Sequence, residues 1–332
     1  MPDYRRIIEE RERQTLSPYA ALSAETRGRE YPIDPCPVRT AFVRDRDRII
    51  HCKSFRRLKH KTQVFLSPIG DHYRTRLTHT LEVAQIARTI ARGLLLNEDL
   101  TEAIAMGHDL GHTPFGHSGE SILNRIVPGG FEHNKQSLRI VEKLENGKGL
   151  NLTFEVRDGI LNHKKSGHPS TLEGVVVSLA DRIAYVNHDI DDAVRAGLLS
   201  NDILPKSCIE AIGATHGERI NTLVLDILQT SSGKNHVEMS GEISSEFEKL
   251  RQFLFDNLYH DSAAKAEEGK AEGVIERLYY HYLKHVSELP PEFTKYIDED
   301  GPDRIAADYI ACMTDRYAVR DYTRLFVPAD WA

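Results

Sequence analysis

Apolar residues recur at helical spacing along most of this chain of 332 residues, and this pattern constrains its fold more than any other feature. Over residues 77–96, leucine, isoleucine and alanine side chains fall three or four positions apart, as on the buried face of an amphipathic helix. Strand signals are short and weak, at 64–65 and 149–154. The sequence therefore predicts an all-α fold with short minor strands.

Proline and glycine mark the ends of further helices. We expect one helix over 98–109 and another that starts with Pro114 in its first position and stops before Pro128. Later helices are expected at 206–228, 242–259, 271–287 and 302–318. Segment 15–37 is rich in proline and should be an irregular N-terminal arm, and 229–241 should be a surface loop. No shift in composition marks a boundary, so a single domain over 1–332 is predicted.

A long helix with one apolar and one polar face is predicted after residue 169. Ser170 and Glu173 form a capping box at its start, and it should run to Ala196, with Gly197 ending it. Its polar face carries acidic, phenolic and imidazole groups at helical spacing: Asp181, Tyr185, His188, Asp189 and Asp192. Such a stripe is typical of a solvated face, but acidic groups near histidines also favour a cation.

Charge and cysteine content narrow the class of protein. The 43 Lys and Arg against 50 Asp and Glu give a net charge of −7, which argues against a dominant role on nucleic acid or a membrane surface. No apolar run approaches the roughly 20 residues of a membrane-spanning helix. The charged N-terminus is unlike a signal peptide, and four dispersed cysteines suit a reducing compartment. We therefore expect a cytoplasmic protein without a membrane partner.

The densest chemical signal lies at 107–120, where the sequence reads GHDLGHTPFGHSGE and holds three histidines and two carboxylates. Imidazole and carboxylate together suit Mn, Fe, Zn, Ni or Co, whereas Ca prefers oxygen ligands alone. The adjacent His108 and Asp109 could turn toward one cation. Taken alone, the doublet is equally well explained by a packed histidine and a residue that ends a helix.

Two other segments strengthen the case for a metal. His79 lies near the start of the amphipathic helix at 77–96, and Asp181 lies on the polar face of the long helix. In this order, a histidine, the His108–Asp109 doublet and an aspartate resemble the HD superfamily of metal-dependent phosphohydrolases.

A wider resemblance runs from about Leu16 to Tyr317. Segments 39–51 (RTAFVRDRDRIIH), 55–65 (FRRLKHKTQVF), 179–197 and 308–317 (DYIACMTDRY) are similar to the bacterial deoxyguanosinetriphosphate triphosphohydrolase-like proteins. The resemblance implies a helical HD-domain fold with a metal-binding core at 75–190. It also implies a homo-oligomer.

The resemblance also implies roles for individual residues. The metal ligands would be His79, His108, Asp109 and Asp181, holding one divalent transition metal, with Mg accompanying the substrate triphosphate. The remaining catalytic groups would be an acid–base dyad and two histidines on the phosphate side, namely His117 with Glu120, and His112 and His133. Without the resemblance, the first pair could be a surface ion pair and His133 a loop histidine.

A triphosphate needs cationic and hydrogen-bonding neighbours. By the same resemblance, Arg76, Arg182 and Tyr185 would contact phosphate, and Gln63 and Asp189 would hold the deoxyribose and its 3′-hydroxyl. A site that hydrogen-bonds a hydroxyl rejects analogues that lack it, because its own polar groups would stay unpaired. No motif identifies the residues that read the base.

The reaction implied is hydrolysis of a dNTP at the α-phosphate, which gives a deoxynucleoside and inorganic tripolyphosphate. Two alternatives stay open: a nucleotidase or phosphodiesterase acting on mono- or cyclic nucleotides, and a sensor that binds nucleotide or single-stranded DNA. The basic run at 44–61 is compatible with a solvated face, with phosphate binding, with an allosteric dNTP site or with weak contact to single-stranded DNA.

Overall fold

A computed structural model describes residues 3–63, 74–195, 199–200, 203–258 and 262–328. Within these ranges the chain is helical, and its β structure is limited to two isolated bridges, Arg29 with Thr153 and Thr62 with Thr75. The predicted all-α fold is confirmed. The strand predicted at 149–154 does not form beyond the bridge at Thr153, and the strand predicted at 64–65 lies outside the described residues.

The helices are numbered here in chain order. They are α1 (Tyr4–Thr15), α2 (Ala41–Ile50), α3 (Lys53–Arg57), α4 (Arg76–Gly93), α5 (Glu98–Gly107), α6 (Gly116–Ile126), α7 (His133–Arg139), α8 (Phe154–Leu161), α9 (Leu172–Arg195), α10 (Lys206–Ile212), α11 (His216–Ser231), α12 (Gly241–Leu258), α13 (Ser262–Lys284), α14 (Pro291–Thr294), α15 (Ile297–Ala311) and α16 (Asp315–Phe326). None of these helices combines the length and apolar character needed to cross a bilayer.

Two predicted helices are each divided in the structure. The one expected at 206–228 is α10 and α11, because Gly213 has a φ of 122° and Thr215 opens α11 with a capping box. The one expected at 302–318 is α15 and α16, since the Thr314 side chain caps a new helix. In both places a capping hydroxyl stops the periodic pattern from continuing as one helix.

Two predicted helix starts are corrected. Pro114 is not the first residue of α6, because Phe115 follows it in the left-handed region at a φ of 62° and the helix begins at Gly116. Ser170 does not cap α9, since its hydroxyl donates to Asp158.

Glu173, the other half of that predicted capping box, also has a different partner. One carboxylate oxygen accepts from the backbone N–H groups of Ala21 and Asn97, at 3.0 and 2.9 Å. The long helix is described as far as Arg195, so the predicted end at Ala196 and Gly197 lies outside the described residues.

The arm at 15–37 is irregular as predicted, apart from a short 3-10 turn at Ser23–Glu25. Buried carboxylates hold it. Glu12 accepts from the N–H and the hydroxyl of Ser23, and Glu155 accepts from Thr26 and the N–H of Arg27. Charged acceptors of this kind make the stronger class of hydrogen bond.

The chain divides into two compact units, each built from separated segments. The first unit comprises 1–50, 79–108 and 151–261, and its core forms where α5 packs against α2, α8 and α9. The second unit comprises 51–78, 109–150 and 262–332, and in it α13 packs against α6, α15 and α16. The organisation of the chain as a single domain stays a sequence prediction.

Candidate functional site

Three of the four predicted metal ligands come together in the first unit. The ligand atoms of His79, His108 and Asp181 all lie within 4.8 Å of one another. Asp181 Oδ1 lies 3.0 Å from His79 Nε2 and 3.7 Å from His108 Nε2. These residues come from α4, from the residue after α5 and from α9, and both histidines are almost fully buried. We call them the metal cluster.

The orientation of the His108 ring suits a metal ligand. Its Nδ1 lies 2.6 Å from the carbonyl oxygen of Ala105. A carbonyl oxygen only accepts, so Nδ1 carries the hydrogen and the lone pair of a neutral ring is on Nε2. That lone pair is on the nitrogen nearer Asp181. Two imidazole nitrogens and a carboxylate oxygen are a donor set that fits a divalent transition metal.

Asp181 is kept ionised by its neighbours. Burial alone would raise the pKa of its carboxyl, but the hydrogen bond with His79 and the nearby His108 outweigh burial and hold the pKa below its ordinary value. Asp181 is therefore a carboxylate at neutral pH, which is the form that binds a cation.

His163, for which the sequence predicted no role, lies beside the metal cluster. Its ring centroid is 5.1 Å from that of His108, and its Nδ1 lies 2.7 Å from the carbonyl oxygen of Ile160. His108 and His163 thus make the same contact, each with the carbonyl three residues back at the end of a helix. In the sequence, His163 is a single histidine just after a short helix. This pattern alone is too weak to identify a functional residue.

A second cluster lies within the second unit and contains Asp109. Asp109 Oδ1 lies 3.4 Å from His112 Nε2, and its Oδ2 accepts from Arg76 at 2.8 Å. The His112 ring stacks on His133, with centroids 4.0 Å apart and planes at 15°. His133 in turn contacts Glu120. We call these five residues the phosphate cluster.

Arg76 uses only part of its guanidinium group for hydrogen bonds with the described residues. Its side chain is buried, and its Nη1 donates to Asp109. Its Nε and Nη2 have no hydrogen-bond partner among the described residues. Buried polar groups of proteins are nearly always paired, so these two guanidinium donors are available to hydrogen-bond an anion.

Gly116 leaves room for that guanidinium. It has a φ of 56°, and a Cβ at this position would lie 3.1 Å from the Gln63 carbonyl oxygen and 3.3 Å from Arg76 Nη2. The predicted substrate residues Gln63 and Arg76 therefore both lie beside the start of α6. A larger residue at 116 would be strained and would crowd both groups.

Two shifted pKa values define the charges of the phosphate cluster. Burial, with the charge of Arg76 added, lowers the pKa of His112 well below its ordinary value, so the ring is neutral at physiological pH. Burial would raise the pKa of Glu120, but the hydrogen bonds and charge of His133 outweigh it and lower this pKa to about 2. The Glu120 side chain is therefore ionised at neutral pH.

The predicted dyad of His117 and Glu120 is loose in this structure. His117 Nδ1 lies 3.9 Å from Glu120 Oε2, and the His117 side chain is 60% exposed. Glu120 instead accepts from the backbone N–H of His133 and lies 2.9 Å from its Nδ1. The close partner of Glu120 is therefore His133, while His117 is the exposed residue of this group.

The remaining predicted substrate residues lie on α9. Tyr185 and Asp189 follow Asp181 by one and two turns, and Asp189 is fully buried. Arg182 does not offer a free guanidinium, because it is paired with Glu248 and lies 5.6 Å from the ring of Phe247. Its predicted contact with phosphate would require that ion pair to open.

The basic run at 44–61 is not one solvated face. Lys61 is fully buried, and its ammonium donates to the carbonyl oxygens of His112 and Ala311. Burial lowers its pKa to about 8. The Asp315 carboxylate accepts from the N–H groups of Thr62 and Phe115, at 2.8 and 3.0 Å. The segment at 308–317 therefore helps to place the loop that carries His112.

The chain is similar to known proteins over nearly its whole length. Residues 76–186 match the HD domain, and residues 237–324 match the phosphohydrolase-associated domain. A deoxyguanosinetriphosphate triphosphohydrolase-like protein of Caldanaerobacter subterraneus subsp. tengcongensis is 60% identical over 98% of this chain and 97% of that protein. One of the same description from Clostridium perfringens is 51% identical, with 98% of both chains covered.

A solved phosphohydrolase from Bacteroides thetaiotaomicron shares the fold. It is 17% identical, with a TM-score of 0.53, and the match covers 84% of this chain and 68% of that one. The identity and coverage of the two relatives above carry the assignment to a family. The chain is a phosphohydrolase of the HD type and belongs to the deoxyguanosinetriphosphate triphosphohydrolase-like proteins.

Proposed function

We propose that the protein hydrolyses dNTPs at the α-phosphate and releases a deoxynucleoside and inorganic tripolyphosphate. The descriptions of its relatives support a purine deoxynucleoside triphosphate such as dGTP as the substrate. The observation that carries the proposal is Arg76, whose two unused and buried donors match the oxygens of a phosphate group.

A divalent transition metal fits the donor set of His79, His108 and Asp181, and Asp109, the residue after His108, is the fourth ligand that we propose. When bound, such a metal supplies Lewis acidity toward a phosphate oxygen and lowers the pKa of water. Activity with each metal decides whether the resident ion is Mn, Fe, Zn, Ni or Co, and whether Mg accompanies the triphosphate.

The phosphate cluster supplies the other roles. Arg76 donates to phosphate while Asp109 fixes its guanidinium plane. Neutral His112 offers a hydrogen bond without adding charge, and its Nδ1 has no partner among the described residues. His117 is exposed enough to exchange a proton with solvent, and together with Glu120 it serves as the acid–base dyad at the leaving oxygen. Glu120 and His133 orient this end of α6.

The experiment is a product analysis by phosphorus NMR. Metal-free protein is reloaded with Mn²⁺, Fe²⁺, Zn²⁺, Ni²⁺ or Co²⁺, with and without Mg²⁺. Each form is incubated with each dNTP, singly and in pairs, and with nucleoside monophosphates and cyclic nucleotides. Tripolyphosphate with no free phosphate is the expected product, and faster turnover in a particular pair would support an allosteric dNTP. Release of phosphate from monophosphates, or cleavage of cyclic nucleotides, would refute the proposal and favour the alternative hydrolase. Tight, salt-dependent binding of single-stranded DNA without turnover would instead favour a sensor.

Arg76 variants test the observation that carries the proposal. Arg76→Lys keeps a charge but loses the fork, and we expect kcat/KM for dGTP to fall by about 10- to 100-fold, as for loss of one or two charged hydrogen bonds. Arg125→Lys is the matched control, because Arg125 is exposed and paired with Glu272. Equal kcat/KM values in the two variants, with circular dichroism unchanged, would remove Arg76 from phosphate binding.

A further inference from the structure

A chain of polar contacts continues outward from the metal cluster. His79 uses Nε2 toward Asp181, and its other nitrogen, Nδ1, lies 3.4 Å from Nδ1 of His188. His188 Nε2 lies 2.9 Å from Glu82 Oε2. All four residues belong to the first unit, and His188 is buried.

The proton positions along this chain follow from the cation. His79 Nε2 faces the Asp181 carboxylate, which only accepts, so without a cation Nε2 carries the hydrogen. A cation that binds Nε2 needs the lone pair there, so the hydrogen is then on His79 Nδ1, the nitrogen that faces His188 Nδ1. His188 accepts with Nδ1 and carries its own hydrogen on Nε2, the nitrogen that lies 2.9 Å from the Glu82 carboxylate.

We propose that Glu82 and His188 are positioning residues that fix the tautomer and ring orientation of His79 as a metal ligand. This inference rests on the metal site of the proposed function. It adds two residues that the sequence analysis assigned no such role, although His188 lies on the polar face of α9.

Helices α4 and α9 each carry a metal ligand that is followed by a second residue of the contact chain. On α4, the ligand His79 is followed three residues later by Glu82, and on α9 the ligand Asp181 is followed two turns later by His188. Residues at these spacings share one side of a helix. Each helix thus contributes one ligand and one outer group: His188 of α9 contacts the ligand His79 of α4, and Glu82 of α4 contacts His188. Outer hydrogen bonds of this kind raise the basicity of a ligating histidine and typically change metal affinity by about 10- to 100-fold.

A pair of variants of similar size separates this role from packing. Asn at 188 can place an amide oxygen where His188 has Nδ1, whereas Leu fills the same space without an acceptor. We expect His188→Leu to weaken Mn²⁺ binding to metal-free protein by about 10- to 100-fold by calorimetry, and His188→Asn to recover most of that loss. Glu82→Leu should behave like His188→Leu.

One control variant and one further measurement accompany these variants. His216→Ala removes a neighbouring histidine whose ring centroid is 6.1 Å from that of His188 but whose Nδ1 contacts Asp191 instead. Its Mn²⁺ affinity should match the wild type. In Zn²⁺-loaded protein, nitrogen NMR of the imidazoles should show His79 protonated at Nδ1, and this readout does not depend on turnover.

The outcomes separate the two proposals. Wild-type protein that binds neither Mn²⁺ nor Zn²⁺ would overturn the metal site, and the inference with it. Wild-type binding with equal affinities for His188→Leu and His188→Asn would overturn the positioning role alone. So would a His79 ring protonated at Nε2 in the Zn²⁺-loaded protein.

Discussion

The role of a polar side chain in this protein depends on which of its nitrogen or oxygen atoms already has a hydrogen-bond partner. His108 and His163 each commit Nδ1 to a carbonyl oxygen three residues back, which decides which nitrogen remains available. Arg76 commits one nitrogen to Asp109 and keeps two donors unused among the described residues. Residue type alone does not distinguish these cases, because the same imidazole or guanidinium serves packing, ligation or substrate binding.

His117 provides a prediction at this scale. His117→Ala should retain bound Mn²⁺ while kcat for dGTP falls by about 100- to 10,000-fold, because a positioned acid–base group contributes that much. Metal content by atomic emission and kcat from initial rates check both halves. His236→Ala removes another exposed histidine, which lies 3.5 Å from Glu238, and it should leave kcat unchanged. A kcat within about threefold of wild type in His117→Ala would exclude an acid–base role.

At the scale of elements, loops and helix ends carry the functional groups, and close packing fixes where they lie. The loop after α5 lies directly against the start of α7, where the Gly111 N–H donates to the Ser137 hydroxyl at 2.8 Å. A Cβ at Gly111 would lie 2.2 Å from Ser137 N and 2.4 Å from the His133 carbonyl oxygen. These are backbone atoms, so the loop rather than a side chain would have to move.

Gly111→Ala should therefore lower both stability and turnover. Overpacking of this kind costs about 1–3 kcal/mol of the free energy of unfolding, measured by urea denaturation. Gly273→Ala is the matched control in the same unit, since its Cβ would have no atom within 4 Å and it lies inside α13. It should be neutral or stabilising by up to about 1 kcal/mol. Similar losses in both variants would contradict the packing argument.

Glu173 gives a prediction about pH, since it joins the arm, the start of α5 and the start of α9. Burial outweighs the hydrogen bonds from Asn97 and Ala21 and raises the pKa of Glu173 from 4.5 to about 7. A raised pKa means that the folded state holds the proton more tightly than the unfolded chain. The stability from Glu173 is therefore fully present below pH 4.5 and is lost as the pH rises through 7.

Glu173→Gln should remove this dependence. The difference in free energy of unfolding, variant minus wild type, should grow by about 3 kcal/mol between pH 4.5 and pH 7.5, since each pKa unit is worth about 1.4 kcal/mol. Urea denaturation at several pH values measures it, and titration of the metal cluster cancels in the difference. Parallel curves for the two proteins would show that Glu173 titrates normally.

At the scale of the whole molecule, metal binding and folding are linked. The metal cluster gathers residues from α4, from the residue after α5 and from α9, so the unfolded chain lacks the assembled donor set. A ligand that binds only the folded state stabilises it, by about 2.7 kcal/mol at a free concentration about 100 times its Kd. The metal should thus act on the stability of the protein as well as on its reaction.

Mn²⁺ should accordingly raise the thermal midpoint of metal-free protein, whereas Ca²⁺ at the same concentration should not, because Ca²⁺ prefers oxygen ligands alone. Differential scanning fluorimetry measures both. Asp109→Ala and Asp181→Ala should lose the Mn²⁺ shift together with activity, and full turnover in Asp109→Ala would contradict its assignment as a ligand. An equal shift with Ca²⁺ would indicate a different kind of site.

The helices could be predicted from the sequence because a helix depends on local spacing, whereas the candidate metal ligands came from the resemblance to the HD superfamily and stay a prediction. Apolar periodicity predicted α4, α5 and α12 closely, since one buried face is enough to specify a helix. It failed at Pro114 and at 206–228, where single turns and capping hydroxyls end or start helices. The position of a helix end depends on one or two side-chain hydrogen bonds, and several neighbouring residues could make those bonds.

What the sequence by itself determined is the all-α fold and, through the resemblance, the membership of a family of HD phosphohydrolases and the candidate ligands His79, His108, Asp109 and Asp181. Only the tertiary structure decided which groups meet: His133 with Glu120, Arg182 with Glu248, and buried Lys61 with the carbonyl of His112. The physical reason is the range of the interactions. Helical spacing limits contacts to neighbours three or four residues apart, whereas each of these pairs joins segments that are brought together only by packing.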